Sequence, residues 1–517
     1  MRTRTLVIAV AVTSACLVTG GIAPAAIAAP TTGPETAAAN APAQQAKAPA
    51  KNAADFNRDG YRDLVITVPM YSSPTDRVYA AGAVVVLYGS ARGVTPADRQ
   101  IITQATPGVP GASERSDYFG HQAVAEDYDG DGYADLAVSK TGEDMTIGDM
   151  FHHNAGQISI IWGGRKGLTQ HGATTVRQTA PIGADVRRGA SLAAGDFNGD
   201  GRADLATGDY SQGRGGEVLY GPITRAGKPK SAISLGLRDG QTYVHTALDS
   251  GDVTGDGITD LVVQVYPGRT GPVSRIEIHR GTRKGLIRTG NLKDAQGQPL
   301  INRSATDGHV AVGDLDKDGH ADIVVGEEWA QGATGNYTGK FTVVHGGKNG
   351  QDTGRTPQVF TQDTEGVPDT AEKDDYFGAS VSVGDINGDG YADVAAGAPV
   401  EDVGALSHSG TVTTFLGGPG GLTGRGAKVY DQDTAGVPGI GHDGDRFGAA
   451  LGLTDLNGDR RADLVVGSPG EDSERGAVSV LPGSPKGTTG LGAKTFGPTD
   501  LGLPNSMEAG FGESFGG

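Results

Sequence analysis

The stretch 385–394 reads D-I-N-G-D-G-Y-A-D-V, and the stretch 55–64 reads D-F-N-R-D-G-Y-R-D-L. One pattern, D-x-[DN]-x-D-G-x-x-D before an aliphatic residue, starts at Asp55, Asp127, Asp196, Asp252, Asp314, Asp385 and Asp455. Two copies depart from it: Thr254 stands at the third position of the fourth, and Arg460 replaces the glycine of the seventh. The starts lie about 56 to 72 residues apart, a period that signals a repeat architecture.

The flanks repeat as well. A small, alternating segment precedes the loop, as in Ala379–Val383, and a buried aliphatic run follows it. A third strand ends at glycine in every copy: 81–89, 155–163, 215–221, 274–281, 339–346, 409–417 and 475–483. A more variable fourth segment closes each unit, and two of these are near-copies, QDTEGVPD at 362–369 and QDTAGVPG at 432–439. Four short strands per repeat, seven times, predict an all-β fold, a seven-bladed β-propeller of four-stranded blades. The blades are placed at about 53–116 plus 507–517, 117–187, 188–245, 246–306, 307–374, 375–444 and 445–506. The first loop has no strand sequence before it, whereas GFGESFGG at 510–517 matches YFGASVSVG at 376–384. The C-terminal strand is therefore expected to complete the first blade and close the ring, removing an exposed edge.

Composition agrees. The chain of 517 residues has 86 glycines and is 37% hydrophobic, against roughly 45–50% for ordinary globular chains. This excludes a polytopic membrane protein. With 43 Lys+Arg against 61 Asp+Glu, the net charge of −18 suggests no basic face for nucleic acid.

The loop spacing gives the acid excess a purpose. Oxygens at alternate positions converge when the backbone curls tightly. Position 1 is the aspartate already named for each copy. Position 3 is Asn57, Asp129, Asn198, Thr254, Asp316, Asn387 and Asn457, and position 5 is Asp59, Asp131, Asp200, Asp256, Asp318, Asp389 and Asp459. Position 7 offers the main-chain carbonyl of Tyr61, Tyr133, Arg202, Ile258, His320, Tyr391 or Arg461. Position 9 adds Asp63, Asp135, Asp204, Asp260, Asp322, Asp393 and Asp463. Such hard-oxygen cages suit Ca²⁺ better than Mg²⁺, which resists dehydration. Up to seven Ca²⁺ ions are expected, with the Asp252 and Asp455 loops the weakest binders. An EF-hand is excluded, because its twelfth position here is Ile66, Val138, Val325 or Ala396, inside β-like runs.

Arg2 and Arg4, the apolar run Leu6–Val18 and Ala26-Ile27-Ala28 read as a secretory signal peptide over 1–28, followed by an Ala/Pro-rich flexible linker over 29–52. The mature chain is then expected to be extracellular, without a membrane span, and monomeric. The sole cysteine, Cys16, follows Thr13-Ser14-Ala15 and offers a lipid anchor as the alternative.

Phe377-Gly378 with Gly397-Ala398-Pro399, Phe447-Gly448 with Gly467-Ser468-Pro469, and Phe119-Gly120 resemble the FG-GAP (VCBS-type) repeats of integrin α-chain propellers and related bacterial secreted proteins. Blades 3 to 5 depart, with Arg188-Gly189, Leu248-Asp249 and Asp307-Gly308 in the equivalent place. The resemblance implies calcium between the first and second strands of a blade. It does not transfer integrin ligand specificity; the first functional reading is a non-catalytic binding or adhesion module for an extracellular protein or glycan, with the ligand expected on the face opposite the aspartate loops. The alternative is a secreted hydrolase acting on esters, phospholipids or polysaccharides through a pocket on that face or in the axial channel. No catalytic residue is assigned. Glu143-Asp144, Glu401-Asp402 and Glu471-Asp472 read as solvated turns, and His152-His153 as a plain surface loop.

Overall fold

The computed structural model describes residues 54–516 except 73–77, 148, 170, 179–184, 213–214, 238–242, 268–273, 301–309, 333–334 and 504–509. The proposed signal peptide, the linker and Cys16 lie outside the described residues, as does Asp307-Gly308.

The chain forms the seven-bladed propeller that its repeats predict. Each blade is an antiparallel sheet, and in blades 2 to 7 the strands run outward in chain order. Blade 6 is typical, with Ser380–Gly384, Asp393–Ala398, Thr411–Phe415 and Lys428–Tyr430. Blade 1 draws on both ends of the chain: Ser514–Gly516 lies innermost and pairs antiparallel with Leu64–Val68, in the register Ile66 to Phe515. The expected closure is present. Blade 4 gains a fifth strand, Ser211–Gln212, because its first strand, Tyr243–Gly251, is long enough to offer a free edge at its start.

Burial explains the patterning. Second strands such as Asp393–Ala398 and Asp463–Ser468 are buried at every residue, so they read as continuous aliphatic runs. First strands line an axial channel of about 520 Å³, bounded by Val124, Leu192, Leu248, Val312, Val383 and Leu453 among others. Fourth strands face solvent, which frees their sequence to vary, as Ser231–Ser234 shows.

Seven apolar clusters hold the ring, each shared by two neighbouring blades. The cluster joining blades 7 and 1 packs Leu64, Ile66 and Val85 against Val465, Val478 and Phe511. The FG phenylalanines Phe119, Phe377 and Phe447 are fully buried in these seams. Glycine must follow them: Gly378 has φ +80°, and a Cβ there would sit 2.3 Å from the Lys340 carbonyl.

Candidate metal centres

Six aspartate loops connect the first and second strands of their blades, and the loop at Asp55 leads into the second strand of blade 1, so all seven open on one face. The residue at position 2 anchors each loop. Phe56, Tyr128, Phe197, Val253, Leu315, Ile386 and Leu456 are fully buried, and six of them enter a seam between blades. Sequence reasoning missed this role, although the signal was present as an apolar residue in every copy.

The aspartates turn inward to their own backbone. In loop 1 the amides of Asp59 and Gly60 donate to the two oxygens of Asp55, at 3.1 and 3.0 Å. Tyr61 N donates to Asp59 Oδ1 at 3.0 Å. Asp63 accepts from Phe56 N and, at 2.9 Å, from Gly89 N at the end of the third strand. The other loops repeat the scheme, with Gly163, Gly221, Gly281, Gly346, Gly417 and Gly483 as the strand-end donors to position 9. Glycine is required there for space: a Cβ on Gly163 would sit 2.0 Å from the Ala134 carbonyl and one on Gly417 2.1 Å from the Ala392 carbonyl, and each of the other copies meets the residue before position 9 in the same way.

Position 9 is the electrostatic centre. Burial, opposed by these amide bonds, pushes Asp63, Asp204 and Asp393 up to about 7, Asp135 to about 8, and Asp260 and Asp463 to about 6. Asp322 is met instead by the buried His345 ring, whose Nδ1 lies 3.0 Å away. His345 was not foreseen, and its position before the strand-end glycine was the only clue.

In each of the two loops with four aspartates, three of the carboxylates converge. Ligand atoms of Asp127, Asp129 and Asp135, and of Asp314, Asp316 and Asp318, lie within 4.8 Å of one another. Basic side chains cover several loops: Arg225 bonds Asp129 and Asp131 at 2.6 and 2.8 Å, Lys230 meets Asp200, Arg280 meets Asp256, Arg355 meets Asp316, and Arg461 meets Asp459. In loops 1 and 6 the position-5 carboxylates are instead bonded by the side-chain amides of Asn57 and Asn387.

The two divergent loops differ from each other. Arg460 takes the left-handed φ of 68° and still donates to Asp455 at 2.8 Å, as glycine does elsewhere. Thr254 instead turns inward. It is buried, its amide replaces that of position 2 on Asp260, and its hydroxyl sits 3.4 Å from the same carboxylate.

The opposite face corrects one expectation. Glu401 is buried and hydrogen-bonded by Gln362 at 2.5 Å, so it is no solvated turn residue, and burial beside Asp369 and Asp375 pushes it up to about 8. Glu143 and Glu471 are likewise half-buried and amide-bonded. The following aspartates, Asp402 and Asp472, are exposed as expected. His153 lies in an exposed hairpin, 3.3 Å from Asp144.

That face also carries aromatic surface. Five of the nine exposed large apolar side chains among the described residues (Tyr79, Met150, Phe151, Trp329 and Ile440) lie on it. Trp329 packs edge-on to Tyr337 at 5.3 Å and near Tyr376 at 5.6 Å. It borders a cleft of about 420 Å³ with Asp294, Gln296, Glu327, Gln331 and Lys340. No described helix is long and apolar enough to cross a membrane.

The FG-GAP repeat family model matches residues 52–87, 119–161, 188–219, 308–344, 377–415 and 447–481, and an FG-GAP-like repeat model matches 252–325. The chain is 30% identical over 178 residues to the phosphatidylinositol-glycan-specific phospholipase D of Mus musculus, covering 34% of this chain and 20% of that protein. It is 30% identical over 174 residues to integrin alpha-PS5 of Drosophila melanogaster, covering 31% and 17%. The matched stretch thus spans about a fifth of the length of these relatives. Among solved structures, the exotype rhamnogalacturonan lyase YesX aligns with TM-score 0.38 and 16% identity over 82% of this chain and 70% of that one, too distant to bear on function.

Proposed function

The chain belongs to the FG-GAP repeat family, and on that premise we propose that it is a secreted, calcium-stabilised propeller that binds an extracellular glycan or protein without turning it over. Calcium is held in the nine-residue loops through the side chains at positions 1, 3, 5 and 9 and the carbonyl at position 7. What carries this reading is the sevenfold recurrence of one donor set of hard oxygens, three of whose carboxylates lie within 4.8 Å of one another in each of loops 2 and 5. The ion supplies the positive charge that buried position-9 carboxylates otherwise lack. Exposed ion pairs such as Lys230–Asp200 are weak competitors for it. The Asp252 and Asp455 loops rank lowest, the first because Thr254 is spent on Asp260.

The ligand is assigned to the face opposite these loops, at the Trp329 cleft. An aromatic plane flanked by amides and carboxylates suits a hydroxylated, partly apolar ligand such as a sugar ring. A glycan and protein array, probed with the full chain in Ca²⁺ and again in chelator, tests the reading. Retained ligand that Trp329→Ala releases supports it. Capture unaffected by Trp329→Ala, or chemical conversion of the captured ligand, contradicts it.

A further inference from the structure

Three connections on the face opposite the aspartate loops are copies of one another. They run from Gln104 to Asp117 into blade 2, from Gln362 to Asp375 into blade 6 and from Gln432 to Asp445 into blade 7. In each, a buried glutamine and a buried aspartate flank the glutamate that follows the second strand: Glu143, Glu401 or Glu471. The aspartates are fixed by backbone amides, from Glu114 at 2.7 Å, Glu372 at 2.5 Å and His442 at 2.7 Å. The glutamine Nε2 donates to the glutamate in all three. Its Oε1 is buried without a hydrogen-bond partner in all three.

The copies differ at one informative position. The last residue of the second strand is Lys140 in blade 2, Ala398 in blade 6 and Ser468 in blade 7. The Lys140 ammonium is fully buried, 3.3 Å from Glu143 and 3.3 Å from the Pro110 carbonyl. Blade 2 thus neutralises its buried acids with a cation from its own chain. Blades 6 and 7 keep the acids and lose the lysine. They also add donors: Asp369, at the place of Gly111, lies 3.3 Å from Gln362, and His442 joins Asp445 and Glu471 with ligand atoms within 4.8 Å. The Ser468 hydroxyl is itself buried and unpartnered.

The geometry points to a second tier of cation sites, one hard divalent ion such as Ca²⁺ in each of blades 6 and 7, occupying the place that the Lys140 ammonium takes in blade 2. Asp369, Asp375, Glu401 and the Gln362 amide oxygen hold the first ion; Asp445, Glu471 and the Gln432 amide oxygen hold the second, with the exposed His442 ring at its edge. Amide oxygen and nitrogen exchange places by a simple rotation. Turned over, each glutamine presents its orphaned Oε1 to the ion. A buried set of acids with no counter-charge is costly, whereas one that ligates a metal is not. Each ion would clamp an interblade connection to the blade that follows.

Metal counting on the full chain, saturated with Ca²⁺ and dialysed, tests this. Ala398→Lys transplants the blade 2 solution into blade 6, and Glu401→Gln removes a ligand with little change of shape. Each is expected to carry one Ca²⁺ fewer per chain than the wild type, and Glu471→Gln to do the same for blade 7. None of the three touches a nine-residue loop. A low total that still falls by one would break the loop assignment and keep this one. Unchanged counts in Glu401→Gln and Glu471→Gln would overturn it.

Discussion

Blades 6 and 7 and blades 3 and 4 solve one packing problem in two ways. In blades 6 and 7 an FG phenylalanine, Phe377 or Phe447, fills the seam, and the third strand carries Thr413 or Ser479 four residues before its closing glycine. In blade 3 the phenylalanine is replaced by Arg188, and the equivalent third-strand position is Glu217; the two are buried and 2.7 Å apart. Blade 4 has Glu277 at that register, ringed by Arg275 at 2.5 Å, Arg288 at 2.6 Å and His279 at 3.1 Å. The backbone geometry does not demand an apolar plug. It demands a filled seam, and paired charges can supply it where each charge is satisfied.

Truncation after Pro504 removes both the innermost strand of blade 1 and Phe511, the plug between blades 7 and 1. It should lower the melting temperature more than any point substitution below, and a truncated chain that melts with the full one would contradict the closure. Phe447→Ala should cost about 3–5 kcal/mol in urea unfolding. Arg188→Ala should cost a similar 3–5 kcal/mol, because it strands a buried carboxylate. The sharper test is the graft Arg188→Phe with Glu217→Thr, which should return to within about 1 kcal/mol of wild type if the two devices are interchangeable. If the graft is as unstable as Arg188→Ala, they are not.

Acid separates the devices further. Burial alone would raise Glu277, but its bonds from His279, Arg288 and Arg275 prevail and lower it to about 2. A depressed carboxyl stabilises the fold fully above its ordinary value near 4.5 and loses that contribution as pH falls towards 2. Glu277→Gln should therefore cost stability at pH 7 and little at pH 2, and an equal cost at both would break the argument. The smallest effect belongs to Arg460→Gly, which relieves a left-handed side chain and should add about 1 kcal/mol.

The ring was legible because strand, turn and loop recur together, so that each copy corroborates the others. Closure was legible because FGESFG repeats a strand that blade 1 visibly lacks. What escaped were contacts between copies. Glu401 looks like a turn residue until the Gln362 segment from the preceding blade is folded over it. Arg225 lies 96 residues from Asp129, beyond any local pattern. His345 and Arg188 are single departures from a repeat, and a repeat cannot explain its own exceptions.

The claim on which most depends is that the aspartate loops hold Ca²⁺. Thermal unfolding of the full chain in millimolar Ca²⁺ and in excess chelator tests it most directly. Each ion bound only by the folded state adds about 2.7 kcal/mol at a hundredfold excess over its Kd. Melting should rise by many degrees with Ca²⁺ and should rise less when Asp135→Asn and Asp322→Asn disable the two richest loops. Coincident melting curves with and without Ca²⁺ would contradict the account.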